Sequence, residues 1–142
     1  MLEVNVTPTR LFPKLPDTEK LTLNLGFVDL GHIDLLVAEG FYSNRSDFIR
    51  TAIRNQLDRQ TEVVRQTVVR HRLDLGLRHY GRDDLEEAAA AGKRLSIRVL
   101  GLAVIGPDVT PELALATIES IHVLGALQAS PEIKAALKDR IR

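Results

Sequence analysis

Residues 20–59 read KLTLNLGFVDLGHIDLLVAEGFYSNRSDFIRTAIRNQLDR, and the fold is decided there. Leu21, Leu23 and Leu25 alternate with Lys20, Thr22 and Asn24, the period-two pattern of a strand with one apolar face. Leu30, Ile33, Leu36 and Val37 then form a helical stripe over residues 28–39, which Gly40 is placed to end as a left-handed cap. Gly31 lies inside that helix at some cost relative to Ala. A second helix opens after Ser43 or Asn44, either a good N-cap, with Asp47 in a capping-box position. It carries Phe48, Ile49, Ala52, Ile53 and Leu57 as its apolar side and Arg50 and Arg54 on the other.

A six-residue strand is not stable alone, and no hairpin partner adjoins it. The economical partner is the same strand from a second chain, antiparallel, with the leucines of both chains on one shared core. Lys20, Thr22 and Asn24 then lie on the exposed face of a two-stranded ribbon, which has the width of a DNA major groove and side chains able to bond base edges. The start of the second helix offers backbone N–H groups beside small hydroxyl and amide side chains, an arrangement suited to phosphate.

The combined pattern KLTLNL, IDLLVAEG and FYSNRSDFIRTAIR resembles the ribbon-helix-helix regulators of the CopG/Arc/MetJ superfamily, without gaps, over this stretch. Gly26-Phe27 departs from the residues more common at that junction. The resemblance implies an intertwined homodimer that binds double-stranded DNA as a sequence-specific transcriptional regulator, a repressor. By position Lys20, Thr22 and Asn24 would contact bases, and Ser43, Asn44 and Arg45 would contact phosphate.

The bulk numbers fit that expectation with one qualification. The chain has 142 residues, 44% of them hydrophobic, no Cys and no Trp, and a formal net charge of zero. Zero net charge argues against nucleic acid, but the distribution is uneven. Between Arg45 and Arg78 stand eight arginines against four acids, whereas Asp83, Asp84, Glu86 and Glu87 form an acidic patch. The missing Cys excludes disulfides, thiolate chemistry and Cys-based metal sites. No apolar run has the length of a signal peptide or a membrane span, and the chain reads as cytoplasmic.

Outward from the central stretch, residues 1–19 are interrupted by Pro8, Pro13 and Pro16 and read as an extended arm, with Arg10 and Lys14 in reach of a phosphate backbone. The helical pattern after Leu57 continues through Val64 and Val68 to about Arg70 as an extension or linker, residues 61–72. Residues 73–142 carry an internal repeat: Ile97-Arg98-Val99-Leu100-Gly101 returns as Ile121-His122-Val123-Leu124-Gly125, an offset of 24. Each copy precedes a helix start, Thr110-Pro111-Glu112 or Ser130-Pro131-Glu132, with an N-cap hydroxyl and Pro at the first helical position. A fainter copy has Leu75-Gly76-Leu77 and a capping box at Asp83-Asp84-Leu85-Glu86 before a helix ended by Gly92.

The expected fold class is therefore α+β: a ribbon-helix-helix domain over residues 20–60, then a small β–α repeat domain with parallel strands, shaped as a small layered or leucine-rich-repeat-like wedge, for oligomerisation or a protein partner. No catalytic constellation joins His32, His71, His79 and His122, so neither an enzyme nor a cofactor is expected. An antitoxin-like interaction module is the alternative reading, although antitoxin tails are short and disordered when free. A metal-responsive regulator using His71 and His79 across a dimer is a remoter one.

Overall fold

The computed structural model describes residues 18–142, so the expected arm falls almost wholly outside the described residues. These residues form two compact units, Thr18–His71 and Arg72–Arg142.

The first unit contains three helices, α1 (Phe27–Ala38), α2 (Arg45–Arg59) and α3 (Thr61–His71). Gly40 ends α1 with φ +84°, and the bonds Phe41 N–H to Leu36 O and Gly40 N–H to Val37 O make this a Schellman close. A Tyr42–Phe48 edge-to-face contact, with centroids 4.9 Å apart, braces the turn into α2.

Two expectations change here. Residues 19–26 hold no hydrogen-bonded strand, because a strand needs a neighbour and the chain supplies none at this place. The long second helix is broken at Gln60: its N–H bonds back to Leu57 O, and the Thr61 hydroxyl donates to Asp58 O at 2.8 Å. A new helix then starts at Thr61.

In the second unit, β1 (Asp74–Tyr80), β2 (Leu95–Ile105) and β3 (Ile118–Gln128) form a parallel sheet in chain order, with α4 (Arg82–Ala90) and α5 (Pro111–Thr117) between strands. After β3 come α6 (Pro131–Ala136) and a 3₁₀ turn, Lys138–Arg140. The 24-residue offset is the register of the sheet: Ile97 lies beside Ile121, Val99 beside Val123 and Gly101 beside Gly125. The faint copy also aligns, with Gly76 beside Gly101.

The three glycines form one row, all with positive φ (+109°, +136° and +123°). A Cβ on Gly101 would run into the Gly76 carbonyl, and one on Gly125 into the Gly101 carbonyl. Only glycine satisfies both the dihedral and the contact.

Inward residues of the sheet meet the helices in one core: Leu85, Ile97, Val99, Ile118, Ile121, Ile133 and Leu137 are almost wholly buried. Thr117, also buried, donates its hydroxyl to Leu113 O at 2.7 Å and so is satisfied. Thr110 and Ser130 cap α5 and α6 by accepting from the N–H of Leu113 and Ile133. The helix α4 starts two residues before the expected box: Gly81 is its N-cap, and the Asp84 carboxylate accepts the Gly81 N–H at 2.8 Å. Gly92, with φ +67°, closes it through Lys93 N–H to Ala88 O.

Candidate nucleic-acid interface

Among the described residues of the first unit, Ile33 is the one hydrophobic side chain fully buried within the chain. Leu21 is 84% exposed and Phe27 92%, and Val28, Leu35, Ile53 and Leu57 are also open. Leu23 and Leu25 line an apolar groove of about 520 Å³ together with Ile33, Phe48, Ile49 and Ile53, with Asp29, His32 and Gln56 among its polar residues. Of the residues expected to form the buried side of α2, Phe48, Ile49, Ala52 and Ile53 line this open groove and Leu57 is exposed.

Lys20, Thr22 and Asn24 occupy the intervening positions of the same extended segment, and all three are exposed. In sequence they alternate with Leu21, Leu23 and Leu25, of which Leu23 and Leu25 line the groove.

The start of α2 brings the other three candidates together. Asn44 is the N-cap: its Oδ1 accepts the Asp47 N–H at 2.8 Å, and the Asp47 carboxylate accepts the Ser43 N–H at 2.9 Å. This reciprocal pair fixes the chain direction into the helix. The N–H groups of Arg45 and Ser46 belong to the first turn and have no acceptor one turn back.

Arg45 has a further role that its sequence context does not announce. Its guanidinium makes a bidentate pair with Asp34 of α1, Nε to Oδ1 at 2.7 Å and Nη2 to Oδ2 at 2.8 Å. The hydrogen bond from Arg45 holds the Asp34 carboxyl below its ordinary pKa, and the same bond raises that of Arg45. Both side chains are about half exposed, so the pair is a surface tie between α1 and α2. Arg50 and Arg54 are exposed further along α2.

The described residues contain no group of three or more His, Asp or Glu placed to hold a metal ion, and no helix among them is long and apolar enough to cross a membrane.

A profile of the ribbon-helix-helix transcriptional regulator family matches residues 16–134, which takes in α1 to α5, the whole parallel sheet and the start of α6. No curated protein and no solved structure matches the chain.

Proposed function

The chain belongs to the ribbon-helix-helix transcriptional regulator family, and on that premise we propose that it acts as a homodimeric, sequence-specific repressor with a paired ribbon in the major groove. The observation that carries this reading is the split character of the extended segment: leucines facing an unfilled apolar groove, Lys20, Thr22 and Asn24 on the opposite parity.

In the proposed dimer, the segment from each chain pairs antiparallel with its copy. The pairing satisfies backbone groups that have no strand partner in the single chain and covers Leu21, Leu23 and Leu25. Burial of apolar surface at about 25 cal/mol per Å² supplies the driving force. A two-stranded ribbon then enters a groove about 12 Å wide. Thr22 and Asn24 read base edges as donors and acceptors, and Lys20 adds charge and a donor.

Ser43, Asn44 and the first-turn N–H groups of α2 hold a phosphate on either side, fixing register rather than sequence. Arg45 joins them by exchanging or sharing its Asp34 partner with the phosphate. In this reading residues 20–60 bind DNA, residues 61–72 connect, and residues 73–142 assemble the protein or receive a partner. The setting is the cytoplasm.

The test is a footprint of the purified protein on the DNA around its own gene, repeated with the double variant Thr22→Ala, Asn24→Ala. The expected result is protection of two or more half-sites by the native protein. The double variant should stay folded and dimeric and lose the preference for those sites, with each lost base contact worth about 1–3 kcal/mol. Undiminished site-specific protection by the double variant would show that the ribbon does not read the operator.

A further inference from the structure

The two edges of the parallel sheet are finished differently. Beyond β3, residues 140–142 occupy the start of its edge: Ile141 bridges to Ile121, Arg142 N–H donates to Ile121 O at 2.9 Å, and the Arg140 guanidinium donates to the carbonyls of Leu115 and Ile118. At the other edge, β1 pairs with β2 alone among the described residues. The outward leucines record the same asymmetry. In the row Leu75, Leu100, Leu124 and the row Leu77, Leu102, Ala126, exposure is greatest on β1, at 68% for Leu75 and 67% for Leu77.

The glycine row shows that this edge has room for another backbone. Gly101 and Gly125 each face the carbonyl of the preceding strand, whereas a Cβ on Gly76 would meet nothing within 4 Å. Gly76 has the same left-handed backbone with nothing in front of it among the described residues.

The sequence of β1 around that glycine is Asp74-Leu75-Gly76-Leu77-Arg78, which is self-complementary under a two-fold axis. Antiparallel pairing centred on Gly76 sets Asp74 opposite Arg78 of the second copy, Leu75 opposite Leu77, and Gly76 opposite Gly76. Within one chain, Arg78 and Asp74 already meet across the glycine at 3.3 Å and both are half exposed, although they lie in register with the buried Ala103 and Val99. Head-to-tail addition would instead need the β3 edge, which Ile141 and Arg142 already occupy at Ile121.

We propose that two copies of this chain associate through antiparallel pairing of β1 about Gly76, joining two three-stranded sheets into one. Two ion pairs and two leucine pairs set the register, each contributing modestly as cross-strand neighbours do. An edge of seven residues buries less than the roughly 800 Å² per partner of a stable interface. The contact is therefore weak between free chains and is strengthened whenever the two chains are already held together elsewhere.

The experiment uses the full chain, which lacks native cysteines. A tagged Leu75→Cys chain is mixed with an untagged Leu77→Cys chain under mild oxidation, and disulfide-linked species are read on a non-reducing denaturing gel. The expected product is the mixed disulfide, in excess of either homodimer. Adding Asp74→Arg to both chains should lower it several-fold, since Arg then faces Arg at both ends. Placing Asp74→Arg on the Leu75→Cys chain and Arg78→Asp on the Leu77→Cys chain should restore it, although neither chain keeps its internal pair.

A yield insensitive to these charges, or no mixed disulfide at all, would overturn the proposal. So would slow exchange, at dilutions where the chain is monomeric, of those β1 amides that do not bond to β2, which would mean another segment of the same chain covers the edge. The footprint reports on the first unit and the disulfide on the second, so either reading can fail while the other stands.

Discussion

Thr18–His71 and Arg72–Arg142 place their apolar residues in opposite ways. The second unit closes a core of its own, eleven mutually packed buried residues between three parallel strands and their helices. The first leaves Leu21, Leu23, Leu35, Leu57, Phe27 and Val28 outside, and among its described residues buries one hydrophobic side chain, Ile33. The difference is one of topology. A β–α repeat meets its neighbour within the same chain and covers its apolar face there, whereas the alternating segment before α1 has no strand to pair with among the described residues of its unit. The contrast assigns the units different dependences on concentration: the second should fold at any dilution, and the first should need another copy.

The sharpest way to break the comparison is Leu23→Glu. A carboxylate placed in the shared groove costs several kcal/mol, so dimer affinity should fall by a factor on the order of 10³ or more. Sedimentation should show monomer and circular dichroism a loss of helix from the first unit, with the second unit's melting transition unchanged. Retained dimer would mean that the groove is not the interface.

Next in size come the glycines of the second unit. Gly101→Ala meets both an unfavourable φ and the Gly76 carbonyl, and should destabilise that unit by about 3 kcal/mol or more. Gly76→Ala meets only the φ and should cost about 1–2 kcal/mol. Denaturant melts of the two variants check the order; equal effects would remove the close approach as a cause.

How far these features could be read in advance depended on whether their cause was local. The alternation at residues 20–25 was legible, and so was the repeat, because an offset of 24 residues becomes the strand register when parallel strands stack in order. The Leu-Gly pair at Leu75-Gly76 was legible as a faint third copy, but its positive φ and open flank come from stacking and leave no mark in the sequence. The break at Gln60 was hidden, since neither Gln60 nor Thr61 is a helix breaker by composition and the Thr61 hydroxyl acts through backbone carbonyls of the previous turn. The start of α4 was misplaced by two residues because Asp84 serves the N–H of Gly81, a cap with no side chain to announce it. At the candidate site, Asn44 as the cap followed local rules. The Asp34–Arg45 tie did not, as the two residues lie eleven apart and meet only through the α1–α2 turn.

Smaller effects should sharpen the picture of the α2 start. Asn44→Ala removes the bond to the Asp47 N–H and should cost about 1 kcal/mol of first-unit stability. If the same end of α2 holds phosphate, Asn44→Ala should also weaken binding to all DNA sequences alike, whereas Arg45→Ala should in addition lower the slope of log affinity against log salt by about 0.9 per lost phosphate contact. Fluorescence anisotropy at several salt concentrations checks this. An effect confined to one sequence would place Asn44 among the base readers.

The smallest effect concerns pH. The Asp34 pKa is lowered in the fold, so its tie to Arg45 is fully present above the ordinary carboxylate value and is lost as pH falls through the lowered one. A carboxyl-carbon NMR titration should show Asp34 protonating at lower pH than it does in an Arg45→Ala chain. An identical titration in that variant would dissolve the tie.

The central claim, that the first unit is completed by a second copy through residues 20–25, is tested most directly by amide hydrogen exchange of those residues against protein concentration. A two-stranded antiparallel ribbon bonds alternate residues to its partner. The predicted result is protection with a period of two along residues 20–25, rising with concentration, while the β2 amides stay protected throughout. Fast exchange at every residue from Lys20 to Leu25, at concentrations where the chain is dimeric by sedimentation, would contradict it.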